Sequence, residues 1–252
     1  MGTDERHQAA AAGSSETGWG GICRIDGVAT FILMAYSLAT MVQLVVLGGQ
    51  PTTAAAAFSL LQDNRVLGLL RLDLPTVLAL PLYYFVLLGL FVALRRSDTA
   101  YATLSTSLAF VGVTLALATP TALSMLSLSE KYAAATKEPV RVQLLAAGEA
   151  VLATDIWHGT GAIIGGLLLQ SGAVLISVVM LRSKVFAKTV GYVGIVAHGL
   201  DLAHGLLGPL VPGVSFVLMA IAGPLYLIWF PLVGGRLLQL GQRGASPAVL
   251  EG

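Results

Sequence analysis

Gly161-Ala-Ile-Ile-Gly-Gly-Leu-Leu-Leu-Gln-Ser-Gly-Ala-Val-Leu-Ile-Ser-Val-Val-Met-Leu181 runs for twenty-one residues without a charge. Wound as a helix it is about 31 Å long, close to the roughly 30 Å of a bilayer's hydrocarbon core. Arg182 ends the run and Asp155 stands before it. The apolar residues are continuous rather than alternating, so a barrel strand is excluded. The full segment covers about 156–181, and five more of the same kind lie near 25–48, 72–94, 102–127, 189–211 and 213–235. The fold class that follows is an all-α polytopic membrane helix bundle of six transmembrane helices.

Composition points the same way. The chain has 252 residues, of which 56% are hydrophobic and 11% charged. Its mean hydropathy is +0.83. A soluble protein of this size shows too much surface to water to hide that apolar content. A soluble enzyme, a disordered chain and a nucleic-acid binder are therefore excluded. The net charge of +1 supplies no basic field for phosphate backbones. Cys23 is the sole cysteine, so there is no intrachain disulfide and no cysteine-rich metal cluster. The expected partner is the lipid bilayer.

Outward from the six runs, the organisation is a mobile polar tail over 1–20, a six-helix domain over 21–240 and a second tail over 241–252. Two connections are longer than turns. Residues 49–71 and 128–155 each carry charges with apolar residues interleaved, the pattern of one or two helices lying in the interface, the second from about Val142 to Ala153. With six spans both termini share a side. That side holds nine of the basic residues, including Arg95, Arg96, Arg182, Lys184 and Lys188 at helix ends; the other side holds five. The positive-inside rule then puts both termini in the cytoplasm, and the long connections outside. Gly161 and Gly165 form a small-xxx-small pair, with Gly166 and Gly172 nearby, that lets helices approach closely. Pro81, Pro120, Pro224 and Pro231 fall inside runs and are expected to kink them.

Ionisable residues within a span are costly and mark function by default. Asp26 opens the first span, Asp73 the second, and Asp155 with His158 the fourth. His198, Asp201 and His204 lie well inside the fifth. Asp155 and His158, three apart, share a helix face. His198, Asp201 and His204 step by three twice and fit within a sector of about 120°. Topology gathers Asp73, Asp155, His158, Asp201 and His204 into the outer half. The candidate ligand-binding set is therefore Asp73, Asp155, His158, His198, Asp201 and His204.

Three chemistries suit such a set. His158, Asp201 and His204 have the residue types of a zinc site. A His–Asp pair also suits a proton relay. Haem between His158 and His198 or His204 is the third. No HExxH, catalytic serine elbow or nucleotide fingerprint is present. The plain alternative is a polar pair that only bridges helices; Gln43 and Gln170 read mainly that way, and the Tyr226/Trp229 pair reads as packing. Counting from the connection Arg182–Lys188 puts His158 and His204 at heights that differ by about 12 Å. The expectation is a wet, outward-opening cavity bounded by His158, Asp201 and His204, with Gly161, Gly165 and Gly166 supplying the space.

The segment Leu61-Gln-Asp-Asn-Arg-Val-Leu-Gly-Leu-Leu-Arg-Leu-Asp73-Leu, then Pro81-Leu-Tyr-Tyr and Leu94-Arg-Arg96, resembles the bacterial membrane proteins grouped as domain of unknown function 4386. Trp157–His158 and Arg182-Ser-Lys-Val-Phe-Ala-Lys188 extend the likeness over roughly residues 22–236. The resemblance implies a bacterial inner-membrane bundle and carries no activity. His198 and His204 are not part of its pattern. The functional readings are then a protein that binds a small molecule, lipid or proton; a membrane-embedded metal enzyme using His158, His198, Asp201 and His204; and a structural subunit with partner subunits in the membrane.

Overall fold

The computed structural model describes residues 2–208 and 210–243, and for 2–18, 212 and 243 it gives the backbone alone. The described residues are mostly α-helical, with no strand among them. α1 (Gly2–Leu47) leads through a loop to the short α2 (Ala54–Asp63) and α3 (Arg65–Arg71). α4 (Leu74–Ala79) and α5 (Leu82–Leu94) make one span, broken at Leu80–Pro81. α6 (Thr99–Leu117) is the next span; beyond Pro120 the chain turns into α7 (Ala122–Ala134) and α8 (Glu138–Leu152). α9 (Thr160–Arg182), α10 (Lys188–Leu207) and α11 (Pro212–Arg243) complete the fold. Among the described residues, six helical stretches are long and apolar enough to cross a membrane. The chain is a multi-pass, all-α membrane protein. The segment expected as a tail over 1–20 lies mostly outside the residues with described side chains, and α1 is traced through it from Gly2. Most of the tail expected over 241–252 lies outside the described residues.

The spans follow one another around a ring in chain order: α1 on α5, α5 on α6, α6 on α9, α9 on α10, α10 on α11, and α11 back on α1. Glycine makes the two tightest seams. A methyl added at Gly165 would stand 2.7 Å from the Gly112 carbonyl and 2.9 Å from the Ala116 nitrogen. One added at Gly172 would stand 2.8 Å from Ala109 Cβ. On the α1–α11 seam, one at Gly27 would meet the Gly234 carbonyl at 3.0 Å. Such contact lets dispersion act over whole backbones where no hydrophobic drive exists between helices in lipid. The seam on α9 therefore uses Gly165 and Gly172 against α6. Gly161 reaches only the Thr119 methyl, at 3.3 Å, and Gly166 has nothing within 4 Å.

Three apolar clusters result among the described residues, the smallest being Leu87, Ala109, Val113 and Leu169 between α5, α6 and α9. Of the other two, one fills the basic-side half of the ring, around Leu33, Leu90, Met180, Phe230 and Leu237. The second lies beyond the opposite ends of the spans, where α2, α3, α7 and α8 pack together around Phe58, Leu61, Met125 and Leu152. These short helices cover each other's apolar faces and form a cap. Arg65 and Glu130 pair across it, Gln62 reaches Ser129, and Arg141 stacks over Tyr132 at 4.3 Å.

Candidate functional site

The middle of the ring holds a polar cluster from three spans. His198 and Asp201 lie on α10, Gln170 on α9 and Tyr226 on α11. Gln170 Nε2 donates to Asp201 Oδ2 at 2.6 Å, and His198 Nδ1 lies 2.7 Å from Gln170 Oε1. Tyr226 donates its hydroxyl to Asp201 Oδ2 at 3.0 Å and also lies 3.2 Å from His198 Nδ1. One assignment accounts for the hydrogen bonds of the chain. The amide oxygen of Gln170 is an acceptor, so His198 Nδ1 carries the proton; the amide nitrogen then donates onward to the carboxylate. In that tautomer His198 Nε2 is a bare lone pair. It is buried and has no partner, and the whole residue is 1% exposed.

Aromatic rings wall the cluster. The indole of Trp229 stands perpendicular to the His198 ring at 4.7 Å, and Tyr226 stacks on Phe230 at 5.5 Å. Trp229 Nε1 is a second buried polar atom without a partner. Gly194 makes room for it: a methyl there would come within 2.5 Å of that nitrogen. Tyr83 of α5 closes the side through Phe230, at 6.3 Å.

The other expected site residues go elsewhere. Asp155 and His158 lie in the α8–α9 connection rather than in the fourth span, because the Asp155 carboxylate turns the chain by accepting the backbone N–H groups of Trp157 (2.9 Å) and His158 (2.8 Å). His204 lies 2.6 Å from the hydroxyl of Ser215, at the start of α11. Asp73 is fully buried and caps α7, accepting from Thr121 N (2.5 Å), Thr121 Oγ1 (2.8 Å) and Ala122 N (2.8 Å). Asp26 is 1% exposed on α1, against Gly89, and neither of its oxygens has a partner. Gln43 donates to the Leu70 carbonyl at 2.8 Å.

The cavity expected between His158, Asp201 and His204 is thus not formed. Thr160 to Gln170 is ten residues of α9, a rise of about 15 Å, and His158 precedes that helix, in the α8–α9 connection beside Asp155 and Gln50 rather than beside His198. That separation also removes haem held between His158 and His198. The proposed metal ligands His158, Asp201 and His204 take separate partners, and no group of three His, Cys, Asp or Glu side chains fit to hold a metal ion occurs among the described residues. Of the three glycines expected to open the cavity, Gly165 is filled by α6, Gly161 meets the Thr119 methyl, and Gly166 has nothing within 4 Å.

Gln170 and Tyr226 are the members of the cluster that the sequence reading left as helix bridging and packing. Gln170 was within reach: it lies twelve residues before Arg182 and His198 ten after Lys188, so the short connection sets them nearly level. Tyr226 was not. Six residues before Leu207 is Asp201, and six after Pro212 is Leu218, yet α10 and α11 cross so that Tyr226 meets Asp201. No family model, curated protein or solved structure matches the chain.

Proposed function

We propose that this protein takes up and releases a proton within the membrane, at the His198–Gln170–Asp201–Tyr226 cluster. The observation that carries the reading is the partnerless Nε2 of His198, at one end of a hydrogen-bonded chain whose other end is a carboxylate. A proton that adds at Nε2 makes an imidazolium two links from Asp201. The Gln170 amide and Tyr226 hydroxyl lie between them and need only small shifts to follow the charge. A proton is also the ligand that suits a cluster whose side chains already fill the space with rings and hydrogen bonds. Intramembrane His and Asp in chains of this kind serve proton pathways.

The distribution of basic residues supports both termini in the cytoplasm, and the resemblance to the family of domain of unknown function 4386 supports a bacterial inner membrane. In that orientation the cap faces outward and the cluster lies near mid-membrane.

The test is infrared difference spectroscopy of the reconstituted full chain across about pH 5–8, where histidine changes charge. A carboxyl or imidazole band that titrates in the native chain and disappears in Asp201→Asn or His198→Ala is the expected result. No difference between the native chain and both variants would leave the cluster as a clasp between helices and refute the reading.

A further inference from the structure

The loop from α1 to α2 is pinned along its length. Gly48 turns it at φ +79°, a conformation that favours glycine. Arg71 donates Nε (3.2 Å) and Nη2 (2.7 Å) to the Gly49 carbonyl. Gln50 donates Nε2 to Asp155 Oδ2 at 2.8 Å, and Glu149 Oε1 accepts the Ala54 N–H at 2.7 Å. Between this loop and the α8–α9 connection lies a cleft of about 300 Å³, lined by Gln50, Thr52, Glu149, Asp155 and His158, with Leu152 among its apolar residues.

The polar groups of the cleft differ in what they leave free. Asp155 is 1% exposed and saturated: Oδ1 takes Trp157 N, His158 N and His158 Nδ1 at 2.8–2.9 Å, and Oδ2 takes Gln50. The imidazole is therefore held with Nδ1–H toward the carboxylate, and Nε2 is an acceptor. The His158 side chain is 70% exposed, so that acceptor is open to a ligand. Glu149 commits Oε1 to Ala54 and keeps Oε2. Thr52 adds a hydroxyl. Two carboxylates line the cleft and no lysine or arginine does.

We propose that this cleft binds a primary ammonium group, with His158 Nε2 and Glu149 Oε2 as its acceptors and Asp155 as the positioning residue that fixes the imidazole. An ammonium has three donors and a positive charge, which answers two open acceptors, a hydroxyl and a net negative lining. The pinned loop means the acceptors are arranged before the ligand arrives, which limits the ordering cost of binding. The same group comes from a free amine or from the headgroup of phosphatidylethanolamine, and the cleft lies between the loop that follows α1 and the connection that precedes α9, where the spans meet the cap. This site is independent of the intramembrane cluster.

The experiment titrates the purified full chain in detergent with ethanolamine, its neutral isostere ethylene glycol, and acetate, following the His158 ring by nitrogen NMR. Ethanolamine should shift the ring and bind at least about tenfold more tightly than ethylene glycol, a difference of about 1.4 kcal/mol. Glu149→Gln keeps an acceptor for the Ala54 N–H, so the loop stays in place, and should weaken ethanolamine about tenfold. A parallel arm compares nanodiscs of phosphatidylethanolamine with phosphatidylcholine, whose quaternary nitrogen has no N–H to donate. A ring shift with the first lipid only assigns the headgroup; a shift with free ethanolamine only assigns a soluble amine. The proposal is overturned if acetate or ethylene glycol binds as well as ethanolamine, if Glu149→Gln and His158→Gln leave affinity unchanged, or if neither amine source moves the ring.

Discussion

Replacing Asp73 by alanine removes a carboxylate that accepts three hydrogen bonds, two of them from the backbone N–H groups of Thr121 and Ala122. Both donors lie at the start of α7, and Thr121 and Ala122 are 4% and 2% exposed. A buried donor left unsatisfied costs about 1–3 kcal/mol, and loss of an N-cap alone costs about 0.5–2 kcal/mol. Two orphaned donors, eased by partial relaxation, give roughly 3 kcal/mol. Asp98 is the comparison, because it also caps a helix, accepting from Tyr101 N at 3.2 Å, but its side chain is 23% exposed, so water can reach the freed N–H, and its pair with Arg182 at 3.5 Å is a half-exposed one of little worth. Asp98→Ala should cost about 1 kcal/mol or less. The asparagine variants sharpen the contrast. Asn caps well at an exposed site, so Asp98→Asn should be nearly neutral, whereas at Asp73 the amide NH₂ must face a backbone donor and about half the loss should remain. Equilibrium unfolding in mixed micelles, followed by tryptophan fluorescence, measures all four. An Asp73→Ala loss no greater than that of Asp98→Ala would refute the account of Asp73 as a buried cap.

Gly172→Leu should separate α6 from α9 and destabilise by roughly 2–3 kcal/mol, while Gly166→Leu, with open space at its Cβ, should stay within about 0.5 kcal/mol in the same unfolding assay. Tyr226→Phe keeps the ring on Phe230 but removes the donor to Asp201; a loss of about 1.5–3 kcal/mol together with a shifted carboxyl band is expected in the infrared spectrum. Asp26→Ala removes two buried oxygens that have no partner, so stability should hold or rise by about 1 kcal/mol, and a loss would show that the carboxyl makes a bond after all. A reporter fused after Gly252 should be cytoplasmic and one inserted at Thr136, between α7 and α8, external; protease protection of the reverse kind would invert the proposed orientation.

The spans were legible because run length against bilayer thickness is a one-dimensional property. Their breaks were not. Pro81 and Pro120 stand at true interruptions, while Pro224 and Pro231 sit within a continuous α11. Proline removes the same bond in each case; the difference lies in what serves the neighbouring groups. After Pro120 the N–H groups of Thr121 and Ala122 find Asp73, forty-eight and forty-nine residues away, and no local pattern announces that partner. The cap was half legible: its charges and interleaved apolar residues marked helices lying in the interface, but their mutual packing around Phe58 depends on contacts far apart in the chain.

The aspartates show why residue type and depth alone could not sort the site. Asp73, Asp26 and Asp201 all fall near or within the hydrophobic runs, and the same rule flags each of them as functional. Asp73 bonds backbone donors and one hydroxyl, groups that hold a helix end and cannot change partners without unravelling it. Asp26 bonds nothing and rests on Gly89, where only the missing side chain lets it fit. Asp201 bonds an amide and a phenol that are themselves bonded to a histidine on the next turn of its own helix. Only the last has a hydroxyl partner that is both donor and acceptor and an unpartnered histidine nitrogen at the far end of the chain, which is what the proposed proton uptake requires. What separates a cap from the proposed relay is the identity and spare valence of the partner atoms, and in this bundle those partners arrive from α9 and α11, by way of helix crossings that the spacing along α10 does not encode.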